Sequence, residues 1–167
     1  MTDQPSPRLP PEILSHYGEG VEQPRLLGGT SRLEFTRTQL ILQRFLPGPP
    51  ARILDVGGGP GAYAHWLTHQ GYTVHLLDAV PLHVEQARAA ANGYTVELGD
   101  ARGIPAPILA DLLAVEGPGW ILPEFEERWR DDRRRQELLE AVARVEREPS
   151  MLGVSAHLLA VARHPGS

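Results

Sequence analysis

The chain has no cysteine. That one absence removes disulfides, thiolate metal sites and a cysteine nucleophile together, and it accords with a cytoplasmic location. Excess positive charge is missing too. Sixteen basic residues face 21 acidic ones, for a net charge of −5, so no global basic field exists for nucleic acid. Arginine is the main cation, and it clusters at Arg128–Arg135 among Asp and Glu, the pattern of a solvated helix face. No apolar run approaches the ~20 residues needed to span a bilayer. The N-terminal "MTDQPSPRLPP" has no signal-peptide core, and residues 1–10 are expected to be a disordered tail. No internal repeat is present.

What remains is a chain of 167 residues with an ordinary apolar share of 41 %, suited to one domain. That domain is expected over residues 11–167, with residues 11–48 as an N-terminal helical cap. "PEILSHYG" predicts a short helix, with Pro11 in its first turn and Gly18 past its end. Thr30 or Ser31 then caps a helix through Leu33, Phe35, Leu40, Leu42 and Phe45, which "PGPP" stops.

An alternation follows. "ARILDV", "YTVHLLD" and "YTVELGD" read as strands. The helices "GAYAHWLTHQG" and "PLHVEQARAAANG" lie between them, implying a parallel sheet with right-handed crossovers. "ARGIPAP" is a connecting loop and "DLLAVEG" a fourth strand. A long helix is expected from about Pro123 to Glu148, with Leu138, Leu139, Val142 and Val145 as its buried stripe. Pro149 ends it, and "SAHLLAVAR" closes the chain as a fifth strand.

"ILDVGGGPGAY", Ile53 to Tyr63, concentrates the chemistry. A glycine loop between strand and helix lets a ligand approach the backbone at the free N–H groups and partial positive charge of a helix N-terminus. The plain alternative is a tight strand-to-helix turn. Two ligand classes compete. Gly57, Gly59 and Ala62 fit the dinucleotide pattern G-x-G-x-x-[G/A], which would make the chain a nicotinamide-dependent oxidoreductase. Gly57, Gly59 and Gly61 also fit acid-x-G-x-G-x-G, with Asp55 as the acid. Asp55 discriminates. A carboxylate there repels a pyrophosphate and suits an ammonium group, because buried and unpaired it costs several kcal/mol, ~2–7 for a polar group without a partner. Asp55 could instead bond the N–H groups of its own loop. Asp78 ends the second strand, where an acid can accept both hydroxyls of a ribose. Asp100 ends the third and can face the amino edge of a nucleobase. Three acids at carboxyl ends of parallel strands converge on one crevice.

At these residues the chain resembles the class I S-adenosylmethionine-dependent methyltransferases. "LDVGGGPG" is similar to their first motif, "LLDAVPLHVEQA" to the second and "GDARGIP" to the third. The resemblance implies that Asp55, Gly57, Gly58, Gly59 and Gly61 hold the methionine portion of the cofactor. It implies Asp78, followed by Ala79, at the ribose, and Asp100 with Ala101 at the adenine. It also implies that the helical segment before the first strand closes over the methionine end, with Tyr17, Arg32 and Arg37 as candidates there, an Arg meeting the methionine carboxylate.

The departure from that family is as informative. Its members usually have seven strands, and this chain offers five. "VEGPGWILPEFEERW…EPSMLGVSAHLLAVAR" resembles the sixth and seventh strands, which implies that a central piece is missing, with the fifth strand and much of the substrate pocket. The expected fold is α/β, a Rossmann-like three-layer sandwich with a reduced, mostly parallel sheet of about five strands in the order 3-2-1-4-5. The last strand is left open as parallel or antiparallel. A bare strand edge predicts a homodimer, with exchange of the C-terminal segment as one route to it.

Methyl transfer needs orientation more than an obligatory base. Glu116 and Trp120 follow the fourth strand as candidates to face the transferred methyl, and a solvated loop carboxylate is the competing reading of Glu116. Trp120, Phe125 and Trp129 could wall an acceptor pocket or pack in a core. His65 and His69 sit at i,i+4, but no third ligand accompanies them; His75 and His83 add none, so no metal is expected. The two functions carried forward are a methyltransferase acting on a small molecule and a protein that binds S-adenosylmethionine, or its product S-adenosylhomocysteine, without turnover. Neither a membrane nor nucleic acid is the expected partner.

Overall fold

β-branched and leucine-rich runs alternate with helices wherever a glycine loop or a proline intervenes, and the architecture follows that punctuation. The structure, a computed structural model, describes residues 29–99 and 108–163. Tyr17, Asp100 and Ala101, the N-terminal tail and the helix expected at "PEILSHYG" lie outside the described residues. Those described fall into two compact units, residues 47–99 and residues 29–46 with 108–163.

The first unit is a parallel β/α repeat: β1 (Arg52–Val56), α2 (Ala62–His69), β2 (Thr73–Asp78), α3 (Pro81–Ala90) and β3 (Thr95–Leu98). Its sheet runs β1-β2-β3, with Asp55 level with Leu76 and Asp78 level with Leu98. Pro81 opens α3 at a position where its missing N–H costs nothing. Val74, Leu76, Ala64, Leu67, Val84 and Ala87 are buried.

The second unit holds α1 (Ser31–Phe45), β4 (Ile108–Ala114), a 3-10 turn (Gly117–Ile121), α4 (Phe125–Arg130), α5 (Asp132–Val145), α6 (Pro149–Leu152) and β5 (Leu158–Arg163). Leu33 of α1 packs with Phe125, Trp129, Leu138 and Val142, and Phe125 stacks on Trp129 at 5.4 Å between ring centroids. Both aromatics are therefore core residues. Thr30 precedes α1 but makes no side-chain capping bond.

Two expectations are corrected. The single helix from Pro123 to Glu148 is broken at Asp131, which leaves helical geometry with ψ 113° and accepts the Arg134 N–H at 2.9 Å as the N-cap of α5. A run of acids and arginines suits a helix surface, and it also supplies this capping residue. Among the described residues, the single sheet 3-2-1-4-5 keeps only its 3-2-1 portion. β4 pairs with β5 in a separate, antiparallel sheet, Leu112 against Ala160 and Ala114 against Leu158, which answers the open question of the last strand's direction. β3 ends at Leu98 and β4 starts at Ile108. The antiparallel ladder with β5 satisfies the β4 backbone groups.

Candidate functional site

The glycine loop leaves β1 at Val56, and the Gly57 N–H donates to the Leu77 carbonyl at 2.7 Å. Register puts Asp55 beside Leu76, so Asp78, two residues further along β2, shares its face of the sheet. The loop is built around these two acids. A Cβ at Gly58 would lie 2.7 Å from Asp55 Oδ2 and 2.8 Å from Leu76 Cδ1, so only glycine lets the backbone cross over the carboxylate. At Gly61, φ is +93° and a Cβ would meet the Tyr94 hydroxyl at 2.6 Å.

Asp55 Oδ2 is buried and has no hydrogen-bond partner among the described residues. Burial first, and the like charge of Asp78 second, push its pKa from the ordinary 3.8 to about 6. The alternative in which Asp55 bonds its own loop does not describe this oxygen. Tyr94 donates to the Ala87 carbonyl at 3.2 Å; burial, then the Asp55 charge, push its hydroxyl up.

Asp78 behaves differently. It is 5 % exposed. Its Oδ2 accepts the Gly59 N–H at 2.8 Å and its Oδ1 the Val80 N–H at 2.8 Å, with His83 Nδ1 3.5 Å from Oδ1. The acid read from sequence as a ribose acceptor is thus also the clamp that shapes the glycine loop. Each oxygen has a further lone pair for a hydroxyl. Ala79 follows it in the chain, before the Val80 whose N–H it binds.

In the second unit Arg37 is 2 % exposed. It donates to Glu146 Oε2 at 2.6 Å and to the Val115 carbonyl at 3.2 Å, so its charge is matched by an internal carboxylate. Burial would raise Glu146, yet hydrogen bonds from Arg44 and Arg37 hold its carboxyl below the ordinary value. Arg32 pairs with Glu126 and lies 5.9 Å from the Trp129 ring centroid.

Glu116 is not a solvated loop carboxylate, being 2 % exposed. Its Oε2 accepts the His157 backbone N–H at 3.0 Å and lies 3.0 Å from Ser155 Oγ; its Oε1 is 2.5 Å from His157 Nδ1. Ser155 Oγ in turn accepts the N–H groups of Glu116 and Gly117, each at 3.1 Å. Glu34 Oε2 lies 3.7 Å from the same His157 nitrogen. Sequence reasoning missed Glu34, Ser155 and His157, which no motif links. Trp120 is 43 % exposed and donates through Nε1 to the Val154 carbonyl at 2.9 Å. The His65 and His69 rings lie 4.3 Å apart between centroids, tilted by 53°. Among the described residues no helix is long and apolar enough to cross a membrane.

No family model matches the chain, and no curated protein matches it. Solved structures do. An S-adenosylmethionine-dependent methyltransferase from Mesorhizobium loti is 29 % identical over 47 % of this chain and 37 % of its own, with a TM-score of 0.37. A TehB-like methyltransferase from Corynebacterium glutamicum is 20 % identical over 93 % of this chain and all of its own, with a TM-score of 0.48. A methyltransferase from Geobacter sulfurreducens, in complex with S-adenosylhomocysteine, is 22 % identical over 62 % of this chain and 41 % of its own, with a TM-score of 0.40. The chain thus spans well under half the length of the first and third of these. All three are S-adenosylmethionine-dependent methyltransferases.

Proposed function

We propose that the chain binds S-adenosylmethionine at the glycine loop and transfers its methyl group to a small molecule. The observation that carries this is Asp55. A buried carboxylate oxygen with no partner, tucked under the loop backbone, calls for a ligand with positive charge, and the methionine ammonium supplies it. A pyrophosphate would add a second anion beside a carboxyl whose pKa is already raised by Asp78, which disfavours a nicotinamide dinucleotide. Asp78 holds the loop and offers its remaining lone pairs to the ribose, while Asp100 and Ala101 are assigned to the adenine. Methyl transfer is a displacement at the sulfonium carbon, so the protein's part is to orient the two reactants and exclude water.

The five strands among the described residues support a shortened member of that fold. Among the described residues β1 and β3 end their sheet, which supports a homodimer formed along a strand edge; light scattering at micromolar concentration tests it, and a monomer refutes it. The absence of cysteine supports a cytoplasmic location.

Calorimetry against S-adenosylmethionine, S-adenosylhomocysteine and a nicotinamide dinucleotide tests the cofactor. Binding of the first two is expected, weakened at least tenfold by Asp55→Asn; binding of the dinucleotide alone overturns the proposal. Release of S-adenosylhomocysteine with candidate small-molecule acceptors then separates turnover from binding without catalysis.

A further inference from the structure

We propose a second site, in the second unit, that holds a divalent transition-metal ion between Glu34, Glu116 and His157. This does not rest on the cofactor reading. The three residues come from α1, from the end of β4 before the 3-10 turn, and from the approach to β5. One ligand atom of each lies within 4.8 Å of the other two. Ions of this class take carboxylate oxygen and imidazole nitrogen at ~2.0–2.2 Å. Their ligands therefore sit roughly 3–4.4 Å apart, close to the spacing already present. Two carboxylates and one imidazole make a donor set suited to Mn(II), Fe(II), Co(II) or Zn(II) and poorly suited to a soft ion.

The site is built rather than incidental. Glu34 is 8 % exposed and Glu116 2 %. Glu116 Oε2 is held by the His157 N–H and faces the Ser155 hydroxyl, whose oxygen also binds the Glu116 and Gly117 N–H groups. Such outer hydrogen bonds fix a ligand's orientation before the ion arrives. Oε1, the atom left for coordination, faces His157 Nδ1 at 2.5 Å. An entering ion takes the place of the proton between them, and the half-exposed His157 side chain gives it a path from solvent.

Cobalt(II) is the probe. The full chain is stripped with chelator and titrated with cobalt chloride, read by its visible absorption bands. One equivalent is expected, saturable and displaced by zinc(II). His157→Asn and Glu34→Gln should weaken binding at least tenfold, while the His65→Asn, His69→Asn double variant should leave it unchanged. Glu116→Gln risks the fold, so the test rests on the half-exposed His157, with circular dichroism to verify that His157→Asn is folded. Cobalt should also raise the melting temperature of the native chain and not that of His157→Asn. No saturable spectrum in the folded native chain, an unchanged affinity in His157→Asn, or loss of binding in the His65, His69 variant would each overturn the proposal.

Discussion

The two units treat a buried carboxylate in opposite ways. In the second, Glu146 is met by Arg37 at 2.6 Å and by Arg44 at 2.7 and 3.0 Å, and its carboxyl is held below the ordinary value. In the first, Asp55 keeps an oxygen with no partner among the described residues, and its pKa rises to about 6. The same cost of desolvation is offset inside the protein in one case and left uncompensated in the other. A matched acid is architecture. An unmatched acid under a glycine loop fits the binding role proposed above, because the missing half of the interaction can come with a ligand.

The largest expected effect breaks the matched side. Glu146→Ala strands the buried Arg37 guanidinium and should destabilise the chain by about 3–5 kcal/mol, read as a lower urea midpoint. A loss below 1 kcal/mol would remove the contrast between the units.

The unmatched side should respond with the reverse sign. Asp55→Asn should stabilise the ligand-free chain by about 1–2 kcal/mol at pH 7, less than the full pKa difference because the residue as a whole is only partly buried. The sign follows from proton binding. Between pH 3.8 and about 6 the folded state holds more protons at Asp55 than the unfolded chain, so native stability falls as pH rises through that window. The advantage of Asp55→Asn is therefore full above pH 6 and gone near pH 4, and thermal melts across that range measure it. Cofactor affinity should be level above pH 6 and fall below it by up to tenfold per unit, since a cationic ligand needs the ionised acid. Affinity independent of pH would detach Asp55 from the ligand.

A comparable steric cost is expected at Gly61→Ala, about 1–3 kcal/mol, from φ +93° and the Tyr94 hydroxyl. Tyr94→Phe in that background should recover the part owed to the hydroxyl and leave the backbone part. The smallest effect belongs to the exposed pair Arg133–Glu137, 2.6 Å apart on α5, where Arg133→Ala should change stability by less than ~0.5 kcal/mol.

The β/α alternation, the glycine loop and the acids at Asp55 and Asp78 were legible because each is local. A strand, its turn and the following helix lie within about twenty residues, and their periods and glycines are written in order. The cluster of Glu34, Glu116 and His157 was not legible. Its members stand far apart in sequence, none in a spaced motif, and Glu116 read as a methyl-facing candidate or a solvated loop acid, not as part of a cluster. The partner of Arg37 was hidden for the same reason, since Glu146 lies 109 positions away.

By itself, then, the order of residues determined the strand–loop–helix unit and its carboxylates, since these follow from backbone freedom and charge within a short span. Only the tertiary structure decided that β4 pairs with β5, that the long helix breaks at Asp131, that Asp78 clamps the loop while Asp55 stays unmatched, and which acids are neutralised within the fold. Those outcomes depend on which distant groups come within hydrogen-bonding distance, and chain closure over many residues sets that, not local preference.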